Sequence, residues 1–89
     1  MTVQAYAARI TVRLNAGVND PQGNTVRDGL TALGHGSVRD VRVGKTIDLV
    51  VDAESAEAAR SAVGEMCRGL LANPVIETYE VSITEVGQG

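Results

Sequence analysis

Histidine, cysteine, paired carboxylates and glycine-rich loops supply most protein chemistry, and this chain of 89 residues is sparing with all of them. His35, its one histidine, lies between Gly34 and Gly36, far in sequence from any second histidine, cysteine pair or carboxylate cluster. It reads as a solvated loop residue, and no metal site is expected. Cys67, the one cysteine, cannot form a disulfide within the chain. It falls on the apolar stripe of a helical stretch, where a thiol acts as a small buried hydrophobe. Neither a nucleophile elbow nor a Walker-type loop occurs. Asp20-Pro21-Gln22-Gly23-Asn24-Thr25 presents backbone N–H groups at a helix start, which could bind an anion, although most such starts carry only their own cap. Acylphosphatases, small enzymes on a ferredoxin-like fold, need an arginine in a glycine-rich loop after the first strand and a catalytic amide from the sheet. Here Arg13 lies inside a strand and Asn15 follows it, so that pattern is missing. No catalytic residue and no cofactor is expected.

The elements that would position a site follow from hydrophobic spacing. Tyr6, Ala8, Ile10, Val12 and Leu14 alternate with Arg9, Thr11 and Arg13, the period of a strand with one wet face. Asp20 as N-cap and Pro21 at the first helical position open a helix over roughly 21–34, with Val26, Leu30 and Leu33 on one side and Gly34 or Gly36 in the left-handed stop. Gly23 and Gly29 weaken that helix, so packing must hold it. A second helix starts at Asp52 or Ser55, carries the stripe Ala56, Ala59, Val63, Met66, Cys67, Leu70 and Leu71, and ends before Asn73-Pro74. A last strand occupies 75–86, with Val75, Tyr79, Val81 and Ile83 on one face.

Between the helices, Val41 and Val43 alternate with Arg42, and Ile47, Leu49 and Val51 alternate with Asp48 and Val50. This predicts a hairpin turning at Gly44-Lys45. The register that keeps every apolar side chain on one face pairs Val43 with Ile47, Val41 with Leu49 and Arg42 with Asp48. It requires an odd-length loop or bulge, with Gly44 at positive φ. The order becomes β-α-β-β-α-β, a ferredoxin-like α+β fold with two helices on one face of an antiparallel sheet. Residues 1–86 form a single domain and 87–89 a loose tail.

Composition narrows the function further. The formal charge is −3 and the sequence pI about 4.9, without a basic cluster or interleaved aromatics, so nucleic acid is not an expected partner. No apolar run is long enough for a membrane span and no signal-like segment opens the chain, which points to the cytoplasm. With no Trp, no Phe and two Tyr, the core is aliphatic and small. A small core and open strand edges suggest self-association, with two chains joining their sheets, for instance by exchange of strand 75–86.

Three segments carry a resemblance: Gly17-Val18-Asn19-Asp20-Pro21-Gln22-Gly23, Val38-Arg39-Asp40-Val41-Arg42-Val43-Gly44-Lys45, and Met66-Cys67-Arg68-Gly69-Leu70-Leu71-Ala72-Asn73-Pro74-Val75-Ile76-Glu77-Thr78-Tyr79. In this order and over nearly the whole length they resemble the PurS family, the small subunits of phosphoribosylformylglycinamidine (FGAM) synthase in purine biosynthesis. The last segment is the most distinctive and the Val-Arg-x-Gly-Lys turn the least. The link Gly34-His35-Gly36-Ser37 departs from the family, where an apolar residue is more usual.

The resemblance implies a non-catalytic assembly subunit, a homodimer or multiple of dimers. It would dock a glutaminase subunit (PurQ) to a large ATP-dependent synthetase subunit (PurL) so that ammonia passes between them. The matching segments make Arg42, Gly44, Lys45, Asn73, Pro74 and Glu77 the expected partner-binding residues. A reading from another class is a stand-alone ferredoxin-like regulatory module that binds a small metabolite between protomers.

Overall fold

A computed structural model describes residues 2–86. Three strands form one antiparallel sheet: β1 (Gln4–Leu14), β2 (Lys45–Ala53) and β3 (Glu77–Glu85), in the order β2-β1-β3. Their registers set Ile10 beside Ile47 and Val81, and Ala8 beside Leu49 and Ile83. All the alternating apolar residues therefore collect on one face. Helix α2 (Ala56–Met66) lies across that face, started by the Ser55 hydroxyl accepting the Ala58 N–H at 3.0 Å. Ala59, Val63 and Cys67 are wholly buried, and Val63 and Cys67 share one cluster with Ile10 and Val12. Each large aliphatic side chain buried this fully contributes roughly 1.5–3 kcal/mol.

Helix α2 runs on into one π-helical turn, Cys67–Leu71. The Ala72 N–H donates to the Cys67 carbonyl at 2.9 Å, a step of five residues instead of four. Alternation of burial shifts with it: Leu71 packs against the core, while Leu70 stands 84% exposed.

The α+β, ferredoxin-like class agrees with the sequence reading, but two of its parts are arranged differently. Residues 38–44 form no strand, so the predicted hairpin is not closed within the chain. Gly44 does not have positive φ, which among the described glycines belongs to Gly17 and Gly34. Arg42 does not meet Asp48: the Asp48 carboxylate receives Arg9 instead, at 2.8 and 3.2 Å across β1 and β2. That contact holds Asp48 below the usual carboxylate range. The sequence pattern fits a pairing to the outer edge of β2, but among the described residues no strand pairs with that edge.

The second difference concerns α1 (Pro21–Ala32). Its cap is as expected, and the left-handed Gly34 (φ 99°) follows it, but none of its apolar side chains joins the core. Val26 is 44% and Leu33 76% exposed. Packing within the chain therefore does not hold this helix. Helix α1 and the return through 33–44 form an arm that leaves the sheet at the end where β1 stops and β2 begins. The molecule measures 57 × 32 × 15 Å, whereas eleven residues of strand account for roughly 36 Å. Its Cα radius of gyration is 17.3 Å, against about 12 Å for a compact domain of this length. Residues 87–89, expected to be a loose tail, lie outside the described residues.

Candidate functional site

The arm is fastened at its base by one carboxylate. Asp20, 4% exposed, uses one oxygen to accept the Gly23 N–H at 2.9 Å, capping α1, and the other to accept the Val43 N–H at 2.8 Å. These bonds, the one from Gly23 first, pull the Asp20 pKa below its ordinary value. Both chains of the arm are thereby tied at the same atom group. Arg42 adds a second tie: its guanidinium donates to the carbonyls of Val18 at 2.9 Å and Asn15 at 3.1 Å. The backbone here packs too closely for side chains. A Cβ on Gly23 would overlap the Val41 carbonyl oxygen, and one on Gly44 would stand 2.6 Å from that of Val12.

The third segment closes on the same end. The Asn15 N–H donates to the Ile76 carbonyl at 2.7 Å, joining the loop after β1 to the turn before β3. In that turn Glu77 accepts the Asn73 N–H at 2.6 Å, and the Asn73 side chain accepts the Val75 N–H at 3.0 Å. Pro74 sits in the exposed part of the turn, beside Val75, which is 81% exposed. A hollow of about 260 Å³ opens between these segments, lined among others by Leu14, Asp20, Gln22, Lys45 and Glu77.

All six expected partner-binding residues thus lie at one end of the molecule, although they come from segments 28 or more residues apart. They divide by what they touch. Arg42, Gly44, Asn73 and Glu77 hold the backbone of this end in place, and their charge or size is already used. Lys45 and Pro74 are exposed on it. The sequence reading missed Leu70 and Val75 as exposed apolar residues, because helical and strand periodicity assigns both to buried faces. The π turn and the Asn73 turn, which redirect them, have no simple sequence signal. The Asp20–Val43 tie was equally hidden, since an N-cap aspartate gives no sign of a second, distant donor.

His35 sits in the loop after α1 and Cys67 is buried in the core, its thiol pKa raised by burial. Among the described residues no three His, Cys, Asp or Glu side chains converge as metal ligands would, and no helix is long and apolar enough to cross a membrane. What this end offers, among the described residues, is a shaped surface with the exposed Lys45 and exposed apolar groups, suited to contact with another protein.

Comparison with known proteins decides between the readings. Residues 7–85 match the model of one family, PurS: phosphoribosylformylglycinamidine (FGAM) synthase. The chain belongs to the PurS family. The synthase subunit PurS of Methanocaldococcus jannaschii is 38% identical over 81 residues, covering 91% of this chain and 98% of the relative. That of Synechocystis is 44% identical over 80 residues, covering 90% and 80%. The crystal structure of M. jannaschii PurS, one of the subunits of formylglycinamide ribonucleotide amidotransferase, superimposes with a TM-score of 0.81 over 92% of this chain and 99% of that one. PurLQS from Thermotoga maritima contains a chain of 38% identity that matches with a TM-score of 0.76, covering 97% of this chain and all of that one. The three PurS-like segments recognised in the sequence, 17–23, 38–45 and 66–79, all fall inside the matched residues, and their ends meet at the base of the arm.

Proposed function

We propose that this chain, acting as one domain over residues 1–86, is the assembly subunit of a cytoplasmic FGAM synthase. It docks a glutaminase subunit to an ATP-dependent synthetase subunit, contributes no catalytic residue of its own, and works as a homodimer or a multiple of it. The observation that carries this reading is the convergence of the three PurS-like segments on one end, where the side chains fix a surface instead of assembling reactive groups. The T. maritima relative occurs in PurLQS, which supports the same pair of partners here. The chemistry gives such a subunit a purpose. Ammonia released from glutamine is nucleophilic only while unprotonated, and bulk water converts it to ammonium. Holding the two active sites together preserves the nucleophile.

In this reading Lys45 is a partner contact and Pro74 its neighbour on the same surface, while Arg42, Gly44, Asn73 and Glu77 act by shaping that surface. Lys45→Glu should leave the thermal midpoint nearly unchanged, exposed substitutions usually costing within about ±0.5 kcal/mol. Glutamine-dependent synthesis by the complex reconstituted with PurQ and PurL should fall, whereas synthesis from added ammonium salt should survive. Equal loss of both activities, or loss of neither, removes Lys45 from the contact.

A further inference from the structure

The two sides of the base of the arm differ in charge. The hollow described above lies on the core-facing side of β1, with Val12, and includes the carboxylates Asp20 and Glu77. A second hollow, of about 430 Å³, opens on the opposite side, where Thr11 and Arg13 alternate with the buried Ile10 and Val12. Its polar side chains are Thr11, Arg13, Arg42, Lys45 and Thr46. Three cations and two hydroxyls meet there without a carboxylate, although the chain as a whole carries −3. No basic run in the sequence announces this cluster. Folding assembles it, through the Thr11–Thr46 register of β1 and β2 and the tie of Arg42 to the loop after β1.

We infer that this hollow binds a phosphate-bearing small molecule, its phosphate held between Arg13, Arg42 and Lys45, with the two threonine hydroxyls as further donors. Guanidinium forks and an ammonium group match phosphate oxygens, and such charge-assisted bonds are about twice as strong as neutral ones. Arg42 is already oriented by the Val18 and Asn15 carbonyls, which accept from two of its N–H groups without cancelling its charge. Asp20, the carboxylate that senses the Arg42 charge, faces the other hollow and accepts the Gly23 and Val43 N–H groups. Among the described residues Lys45 forms no ion pair, and Arg13 pairs with one acid, Glu80. That pair is 3.7 Å long between side chains 65% and 78% exposed. It is too long for a hydrogen bond and contributes little, so an anion can draw Arg13 away from it.

The volume lies within the range of roughly 300–1,000 Å³ usual for small-ligand sites. A nucleic-acid strand offers the same phosphate chemistry, but sites for such strands add aromatic platforms on which bases stack. No aromatic side chain lines this hollow, and the net charge repels a long polyanion. The lining therefore favours a free phosphate ester or anhydride.

Pyrophosphate and tripolyphosphate serve as probes, titrated calorimetrically into the full chain at low ionic strength. Both should saturate at one site per chain, tripolyphosphate the more tightly. Arg13→Ala should weaken pyrophosphate about 5- to 30-fold, and Glu80→Gln, which releases Arg13, should strengthen it about 2- to 5-fold. Arg39→Ala, the same loss of charge outside the hollow, should change it less than about 2-fold. Equal weakening by Arg39→Ala and Arg13→Ala would mean a diffuse field, weakening by Glu80→Gln would misplace Arg13, and no saturation at millimolar pyrophosphate would mean no site. Each overturns the proposal. A single-stranded oligonucleotide that binds more tightly than tripolyphosphate overturns the small-molecule assignment.

Lys45 reports the location, because it is the chain's one lysine. Under an amine-reactive ester, pyrophosphate should slow acylation of Lys45 in proportion to occupancy, while the terminal α-amine reacts at an unchanged rate, both followed by mass spectrometry. Both measurements use the chain without partner subunits, so their outcome is independent of the docking proposed above. Acylation of Lys45 at the same rate with and without saturating pyrophosphate would place the anion elsewhere and overturn the proposal.

Discussion

The body of the molecule and its arm follow opposite rules. In the body, β1, β2, β3 and α2 bury Ile10, Val12, Val63 and Cys67 below 2% exposure, and apolar area does most of the work. In the arm, Val26 and Leu33 lie open, and order comes from the polar ties at its base: Asp20 to Gly23 and Val43, Arg42 to Val18 and Asn15. A core specifies a fold by volume. A polar clamp specifies only direction and leaves the apolar surface beyond it for another protein. The two regions should therefore respond differently to the same kind of damage.

The largest contrast comes from truncating aliphatic side chains. Ile10→Ala should cost about 2–5 kcal/mol, the range for a buried aliphatic residue cut to alanine, measured by denaturant unfolding. Leu33→Ser should cost no more than about 0.5 kcal/mol in a dilute sample at the same oligomeric state. A comparable loss from Leu33→Ser would mean that the arm packs on its own sheet after all. Next in size is Gly23→Ala, which drives a Cβ into the Val41 carbonyl and should cost about 1–3 kcal/mol as overpacking does. Its damage should appear as faster amide exchange in α1 while the strands stay protected. Uniform loss of protection would erase the boundary between arm and body.

The smallest effect is that of acid. Asp20 and Asp48 both have depressed pKa values in the folded chain. Their contribution to stability is complete above the ordinary aspartate value of about 3.9 and disappears as pH falls through the lower folded values. Between neutrality and pH 5 stability should not change on their account. Below pH 4 Asp20→Asn should lose less than wild type, because it has already lost the charge that protonation removes. Parallel acid curves for the two proteins would show that another group controls the loss.

Much of the fold is legible in the sequence because its signals are local. Alternation along β1, the Asp20-Pro21 start, the Ser55 cap and the stripe of α2 each depend on neighbours within a few residues. The segment 38–43 shows where this stops. Its alternation marks it as strand-like, but alternation states a preference for a sheet edge without fixing that the segment folds back onto one, and residues 38–44 form no strand. The same limit applies to the site. Gly44 invites a turn assignment, while its small size serves a close approach to Val12. The natural partner for Arg42 by charge is Asp48, yet Arg42 spends its donors on carbonyls in another loop. The resemblance to PurS selected six positions that the structure gathers at one end, without separating those that shape that surface from those exposed on it.

Cys67 gives the body a built-in clock. Its sulfur has no access to solvent and its thiol is held away from the reactive thiolate by burial. A thiol reagent can reach it only after α2 lifts from the sheet. Modification in native buffer is then paced by that opening and reclosing, so the labelling half-life measures how often the core exposes itself. The arm has no such reporter, and its motions, whatever their rate, should leave the Cys67 signal unchanged.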